Sequence, residues 1–168
     1  NINNLVKNGI KKLTIPILED SCLCHTDDIG NFVELGFFLD NFSFIYRQFK
    51  NELSFLVEIE NSELEFFKFF NRLDSGKCFK FVYDTGNLTS SGIDHRKFIE
   101  NNINHIDTIH LKDRTKDPVK TVEPFSGDTE FNKIFLDLAY NDFKGKFTLQ
   151  CARGETGKEV ETIKEYKE

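Results

Sequence analysis

The chain has 168 residues, a net charge of −6 and an aromatic content of 14%, with 19 Phe and neither Trp nor Met. So many bulky apolar side chains exclude a disordered chain. The acidic and basic residues are interleaved, which excludes the basic surface of a nucleic-acid-binding protein. No stretch approaches the roughly 18 apolar residues of a membrane span. We therefore expect a globular protein that binds neither nucleic acid nor a membrane.

Strand-like and helix-like segments alternate along the chain. Short apolar runs predict strands at residues 11–18, 53–59, 78–83, 106–111 and 146–151. Helical spacing and capping signals predict helices at residues 31–50, after Ser62 with Glu65, after Asp94, after Asp128 or Thr129, and after Thr156 with Glu159. Residues 112–127 are predicted to form a polar loop that includes Pro118 and Pro124.

Five consecutive strand–helix units predict an α/β fold with parallel strands joined by right-handed crossovers. The alternative is an open, doubly wound sheet. No Gly-rich phosphate-binding fingerprint follows any predicted strand, which disfavours the dinucleotide-binding version of that sheet. We expect residues 1–168 to form a single domain and, because the chain begins at Asn1, to be part of a longer protein.

The four cysteines are Cys22, Cys24, Cys78 and Cys151. Scattered cysteines in an α/β enzyme are typical of a reduced, cytoplasmic protein. The segment Cys22-Leu23-Cys24-His25 resembles half of a zinc site, but no second ligand pair follows at finger or ribbon spacing. We therefore expect a loop with two semi-buried thiols there, and a cytoplasmic location.

Four predicted strands end on residues that can bind a metal: Glu58, Asp84, His110 and Gln150. The first three follow one another at intervals of 26 residues, about the length of one strand–helix unit. Parallel strands deliver their carboxyl ends to one edge, where the active sites of α/β folds lie. Two carboxylates, an imidazole and an amide oxygen suit a divalent cation such as Mn²⁺, Mg²⁺, Co²⁺ or Zn²⁺.

Each of these residues also has an ordinary structural interpretation. A Glu at a strand end is often solvated, and Asp84 before Thr-Gly-Asn fits a turn. A His between Ile109 and Leu111 is more often a hydrogen-bonded core residue than a ligand. Their common register on successive strands is what favours the metal site.

Taken in order, five segments resemble the xylose-isomerase-like TIM-barrel superfamily, and within it the sugar-phosphate isomerase/epimerase branch. They are Val57-Glu58-Ile59-Glu60, Tyr83-Asp84-Thr85-Gly86-Asn87, His110-Leu111-Lys112-Asp113, Gly127-Asp128-Thr129-Glu130-Phe131 and Leu149-Gln150-Cys151-Ala152-Arg153. The resemblance runs from about Gly9 to the end of the chain. It implies an incomplete (β/α)8 barrel holding strands four to eight, with three further units upstream.

The resemblance implies a metal bound by Glu58, Asp84, His110 and Gln150, with Glu58 as the base that removes a proton next to a substrate carbonyl. Asn87, Lys112, Arg114 and Arg153 are the candidates for binding a small-molecule sugar or sugar phosphate, although rim salt bridges would explain the three cations equally well. The activity it implies is a carbohydrate isomerase or epimerase, with a homodimer left open.

Three positions depart from the family pattern. Gln150 stands where the epimerases usually have a second Glu, and an amide cannot transfer a proton at neutral pH. Asn87 stands where many relatives have His, and Phe125 where they often have Gly. A one-base isomerisation or a dehydration is therefore easier to picture than a two-base epimerisation. A catalytically degraded metal-binding barrel is a further alternative, whereas an endonuclease IV-like phosphodiesterase fits poorly because the chain has four His and an acidic balance.

Overall fold

The structure, a computed structural model, describes residues 2–17, 33–59, 79–151 and 157–165. The predicted helix after Ser62, the Cys22-Leu23-Cys24-His25 segment and Arg153 lie outside these ranges. None of the helices within them has both the length and the apolar character that crossing a bilayer requires.

The described strands are β1 (Lys12–Ile17), β2 (Ser54–Ile59), β3 (Lys80–Asp84), β4 (Ile106–Leu111), β5 (Asp113–Lys116), β6 (Val119–Val122) and β7 (Lys146–Leu149). The described helices are α1 (Ile2–Lys7), α2 (Val33–Phe49), α3 (Thr85–Ser90), α4 (His95–Asn102), α5 (Phe131–Tyr140) and α6 (Glu159–Glu165), with a 3-10 turn at Ile103–His105. All five predicted strands are present within about two residues of their expected ends.

Five strands form one sheet in the order β1-β2-β3-β4-β7. The pairs β1/β2, β2/β3 and β4/β7 are parallel, whereas β5 and β6 form a separate antiparallel hairpin. Described helices follow β1, β3, β4 and β7 in the chain, which is the arrangement of an α/β fold. The predicted parallel architecture is confirmed.

The chain divides into two compact units. The first contains Asn1–Tyr83 and Asn104–Asp107, and the second contains Asp84–Ile103 and Thr108–Glu168. The single domain expected over residues 1–168 stays a prediction.

Phenylalanine rings form the centre of the first unit. Phe42 of α2 stacks on Phe79 at 3.9 Å between ring centroids and meets Phe55 of β2 edge-on at 5.0 Å. All three side chains are buried, as are Val57 of β2 and Phe81 of β3. Aromatic pairs in these geometries contribute beyond the apolar area they bury. The predicted apolar stripe of α2 therefore packs on the sheet at its carboxyl-terminal half.

An ion pair shows that this sheet curves. Lys12 Nζ of β1 lies 2.5 Å from Asp107 Oδ2 of β4, although two strands separate β1 from β4 in the sheet. In a flat sheet the two strands would be about 14 Å apart, beyond the joint reach of the two side chains. Curvature of this kind is what the strands of a barrel require.

Helix α3 of the second unit was not predicted. It begins directly after β3, and the Asp84 side chain caps it by accepting a hydrogen bond from the Asn87 backbone N–H at 2.8 Å. Residues Thr85 to Thr89 are all buried. The sequence Asp-Thr-Gly-Asn suggested a turn because its Asp and Gly favour turns, and the short helix lacks a measurable apolar period.

Among the described residues, the predicted cap of α4 is correct and the predicted cap of α5 is wrong. Asp94 caps α4 as expected, with its side chain accepting from the Lys97 backbone N–H at 3.1 Å. Neither Asp128 nor Thr129 caps α5, whose N-cap is Glu130 without a side-chain bond. Asp128 Oδ2 instead accepts from the Lys116 backbone N–H at 2.7 Å, because the preceding loop lies against β5.

The predicted polar loop at residues 112–127 is also wrong in part, since it contains the β5–β6 hairpin. Asp113, at the start of β5, is 1% exposed and binds the chain segment that leads into α5. Its carboxylate accepts hydrogen bonds from the Gly127 N–H at 2.9 Å and the Thr129 N–H at 3.1 Å. A Cβ at Gly127 would overlap Asp113 Oδ1 and lie 2.9 Å from Arg114 O, so only glycine fits.

His95 joins α3 to α4. Its Nε2 lies 2.9 Å from Thr89 Oγ1, and burial, assisted by the charge of Lys116, lowers the pKa of His95 from 6.5 to about 4. The carboxylates of Asp94, Glu130 and Asp137 oppose this shift. The imidazole is therefore neutral at physiological pH and forms its hydrogen bond to Thr89 from a half-buried position.

Gly127→Ala should destabilise the protein by about 3 kcal/mol, because the new methyl overlaps a buried carboxylate and a backbone carbonyl. Ser126→Ala is the matched control, since it removes only one hydroxyl hydrogen bond to Glu123, worth about 1 kcal/mol or less. Chemical denaturation measures both. Equal losses for the two variants would contradict the close packing of Gly127 on Asp113.

The free energy of unfolding should fall as pH drops from 6.5 to about 4, partly through His95. In that window the unfolded imidazole takes up a proton and the folded one does not, so acid favours unfolding. The effect is at most about 3 kcal/mol and less for a partly exposed ring. His95→Gln should reduce the slope of the unfolding free energy against pH, measured by denaturation at several pH values. An unchanged slope in His95→Gln would refute the assignment.

Candidate metal centre

The predicted ligands lie at the carboxyl ends of successive strands. Glu58 is the penultimate residue of β2 and is in register with Val82 of β3. Asp84 is the last residue of β3, and His110 is the penultimate residue of β4. Each of the three therefore lies at the carboxyl end of its own strand, the end at which α/β proteins bind their ligands.

Glu58, Asp84 and His110 each offer one ligand atom, and these three atoms lie within 4.8 Å of one another. Asp84 is fully buried, whereas Glu58 and His110 are half-buried. Two carboxylate oxygens and an imidazole nitrogen at this separation match the donor set of a divalent transition-metal or magnesium site.

Asp84 has a different partner on each of its oxygens. Oδ1 accepts the capping hydrogen bond from Asn87 N–H at 2.8 Å, and Oδ2 lies 3.5 Å from Lys112 Nζ. At 3.5 Å the lysine contact is electrostatic rather than a good hydrogen bond. The cap fixes the orientation of the carboxylate, and the ammonium offsets the charge of this fully buried group.

Thr85 and Gly86 hold α3 against the segment that follows β4. The Thr85 hydroxyl accepts from the Lys112 backbone N–H at 3.0 Å and donates to Lys112 O at 2.6 Å. A Cβ at Gly86 would lie 2.9 Å from Lys112 Cγ and 3.1 Å from Lys112 O. Neither residue was given a role from the sequence. The signal was the Thr-Gly pair after a strand-end Asp, where a small residue permits close backbone approach.

The predicted substrate-binding residues fall into separate groups. Lys112 Nζ donates to Asn87 Oδ1 at 3.1 Å, so these two lie beside Asp84. Arg114 instead reaches Ser90 Oγ from Nη1 at 3.3 Å and Thr121 Oγ1 from Nε at 3.4 Å, linking α3 to the hairpin. Arg153 lies outside the described residues. Substrate binding by any of these side chains stays a prediction.

Gln150 follows β7 and continues its pairing with β4. Its backbone N–H donates to Leu111 O at 3.0 Å. Its side-chain Oε1 is buried and accepts no hydrogen bond from the residues that the structure describes. A buried amide oxygen without such a bond is costly, and coordination of a cation would satisfy it. The ligand role of Gln150 stays a prediction, and the chemistry of this buried amide oxygen is compatible with it.

A separate cavity of about 370 Å³ lies in the second unit. Its lining includes His95, Lys116, Glu130 and Asp137, and none of the described metal-ligand or substrate-binding candidates contributes to it. Its basic and acidic side chains are mixed, and most are solvent-exposed. This pattern is typical of a solvated surface cleft rather than of a site built for one ligand.

Comparison with known sequences gives one distant relative. The chain is 35% identical over 81 residues to an inosose dehydratase from Clostridium tetani, a match that covers 38% of this chain and 27% of that protein. No protein-family model matches the chain.

Comparison with solved structures covers almost the whole chain at low identity. A xylose isomerase domain protein from Planctomyces limnophilus is 14% identical with a TM-score of 0.71, over 98% of this chain and 59% of that one. The IOLI protein with a bound zinc atom is 15% identical with a TM-score of 0.70, over 99% and 64%. The 3-keto-D-glucoside 4-epimerase YcjR from E. coli is 13% identical with a TM-score of 0.68, over 96% and 64%.

The chain thus spans less than two thirds of the length of each of these proteins. Likeness at 13–15% identity concerns the fold. Its parallel strands with intervening helices agree with that likeness. The expected resemblance is confirmed, and the chain has the α/β fold of the xylose-isomerase-like TIM barrels, as an incomplete barrel.

Proposed function

We propose that the protein is a divalent-metal-dependent enzyme that isomerises or epimerises a sugar or sugar phosphate by removing a proton next to a carbonyl. The observation that carries this proposal is the convergence of ligand atoms from Glu58, Asp84 and His110 within 4.8 Å. The fold supports it, and so does the presence of a zinc atom in the structure of the IOLI protein.

The four ligands in this proposal are Glu58, Asp84, His110 and Gln150. The buried Gln150 Oε1, which accepts no hydrogen bond within the described part of the chain, supports the fourth position. A bound divalent cation would act as a Lewis acid and stabilise the negative charge that develops on the substrate oxygens. The donor set suits Mn²⁺, Mg²⁺, Co²⁺ or Zn²⁺.

Glu58 is the proposed general base. It is half-buried at a strand end, so its carboxylate is reachable from the site and partly shielded from water. Proton removal by a positioned carboxylate contributes roughly 10²–10⁴-fold to a rate. Lys112 and Asn87 would bind and orient polar groups of the substrate on the Asp84 side.

Gln150 favours reactions that need one base. A two-base epimerisation requires a proton donor on the opposite face of the substrate, and an amide has no proton to give at neutral pH. An isomerisation can return the proton from Glu58 to the neighbouring carbon. A dehydration is the second candidate, and the 35% identity to an inosose dehydratase over 81 residues favours it.

Asp84→Asn should weaken metal binding by more than the roughly 10–100-fold that loss of an outer-shell partner costs. The substitution keeps the oxygen that caps α3 and removes the negative charge. Asp94→Asn, which alters the exposed cap of α4, is the matched control. Calorimetric titration with Mn²⁺ and Zn²⁺ measures both. Equal metal affinity in Asp84→Asn and the control would refute the metal centre.

Gln150→Glu should add a second proton-transfer group and raise epimerised product relative to isomerised product. The readout is deuterium uptake and product configuration in D2O, with ketoses, ketose phosphates and an inosose as substrates. In the chain that keeps Gln150, Glu58→Gln should abolish uptake, because it removes the proposed base. Deuterium uptake that survives Glu58→Gln would contradict the role of Glu58.

A further inference from the structure

We propose that Lys112 couples binding of the divalent cation to binding of an anionic group on the substrate, so that each strengthens the other. The inference rests on the proposed metal centre. It adds coupling between the cation and a substrate anion, through a residue that is not one of the proposed ligands. It concerns the contacts of Lys112 with Asp84 and Asn87, which all lie in the second compact unit.

Lys112 is the counter-charge of the Asp84 carboxylate when the cation is absent. Its Nζ lies 3.5 Å from Asp84 Oδ2, and its side chain is only 11% exposed. Its hydrogen bond goes to Asn87 Oδ1 at 3.1 Å, a neutral group that is itself 1% exposed. An ammonium so far removed from water depends on its anionic neighbour.

The Lys112 ammonium cannot move far from Asp84 when a cation binds. The backbone of Lys112 is held on both sides by the Thr85 hydroxyl, through its N–H and its carbonyl. The start of its side chain lies against Gly86, where a Cβ would approach Lys112 Cγ to 2.9 Å. The Asp84 carboxylate is equally fixed, because its other oxygen caps α3. Only the outer part of the lysine side chain has freedom to turn.

A divalent cation bound at Asp84 would therefore pair with the carboxylate that otherwise balances Lys112. It would also place further positive charge beside the ammonium. In the proposed centre two carboxylates then face three positive charges, because His110 and Gln150 are neutral ligands. One net positive charge remains. A glutamate at position 150 would have cancelled it, so Gln150 and Lys112 together create the excess.

An anionic group on the substrate restores the balance. The anionic group would replace the Asp84 carboxylate as the partner of Lys112. The cation, by pairing with Asp84, would leave the ammonium available to bind that group. Coupling of this kind is reciprocal, since each ligand changes the affinity of the other by the same factor. A carboxylate and a phosphate share the required chemistry.

The test is calorimetric titration of the full natural chain with Mn²⁺ in sodium chloride, sodium acetate or sodium sulfate at matched ionic strength. In the wild type, sulfate or acetate should tighten Mn²⁺ binding at least about fivefold relative to chloride. A larger effect of sulfate indicates a phosphate-sized dianion as the natural group, and a larger effect of acetate indicates a carboxylate.

Lys112→Met keeps the carbon stem on Gly86 and removes the charge. It should tighten Mn²⁺ binding in chloride and abolish the anion effect. Lys112→Gln, which keeps a donor for Asn87, should behave in the same way. It provides the same test if Lys112→Met fails to fold. Lys133→Met is the matched control, because Lys133 is 70% exposed and pairs with Glu130.

The outcomes separate the two proposals. A wild-type chain that binds no Mn²⁺ refutes the metal centre and the coupling with it. Mn²⁺ binding that is the same in all three salts overturns the coupling alone. So does an anion effect that persists unchanged in both folded Lys112 variants.

Discussion

The Asp84 carboxylate is the group on which the rest of the candidate site depends. One of its oxygens caps α3 and the other faces the ammonium of Lys112. The cap decides where α3 begins, and α3 carries the Thr85 hydroxyl that holds the Lys112 backbone. A single buried acid thereby fixes the start of a helix, the neighbouring chain segment and its own orientation through contacts within the protein.

The same arrangement explains how a fully buried carboxylate is tolerated. Its charge is compensated by a lysine that is itself shielded, and both are tied to backbone groups that cannot move independently. Low dielectric strengthens the attraction between the two charges and raises the cost of separating them. A cation that binds here therefore competes with an interaction already present. In the proposed metal centre, that competition would lower the affinity for the cation, which the ligands alone would otherwise determine.

Much of the fold could be predicted from the sequence because buried parallel strands are long apolar runs. Val57 and Ile109 lie in such runs, and both are fully buried. The strand-end positions of the candidate ligands Glu58, Asp84 and His110 followed from the same pattern, because parallel strands share the direction of their carboxyl ends. The cap of α4 was predictable because Asp94 precedes a periodic segment and acts locally.

The errors concern segments whose local sequence pattern is weak or misleading. Asp128 was expected to cap α5, yet its carboxylate binds the backbone of β5, twelve residues earlier. The β5–β6 hairpin lacks apolar alternation, so nothing local distinguishes it from a loop. The short helix α3 is buried on all sides, so its sequence shows no alternation of apolar and polar faces. Tertiary packing, rather than local propensity, decides these segments.

The Lys12–Asp107 pair has a consequence for how this sequence can change over time. Asp107 precedes His110 on the same strand by three residues, about 10 Å along β4. The pair belongs to the amino-terminal end of the strands, whereas the proposed ligands belong to the carboxyl end. Substitutions that adjust stability can accumulate at one end of β4 while selection for chemistry acts on the other. The strand thus separates two evolutionary pressures that many small proteins must satisfy with the same residues.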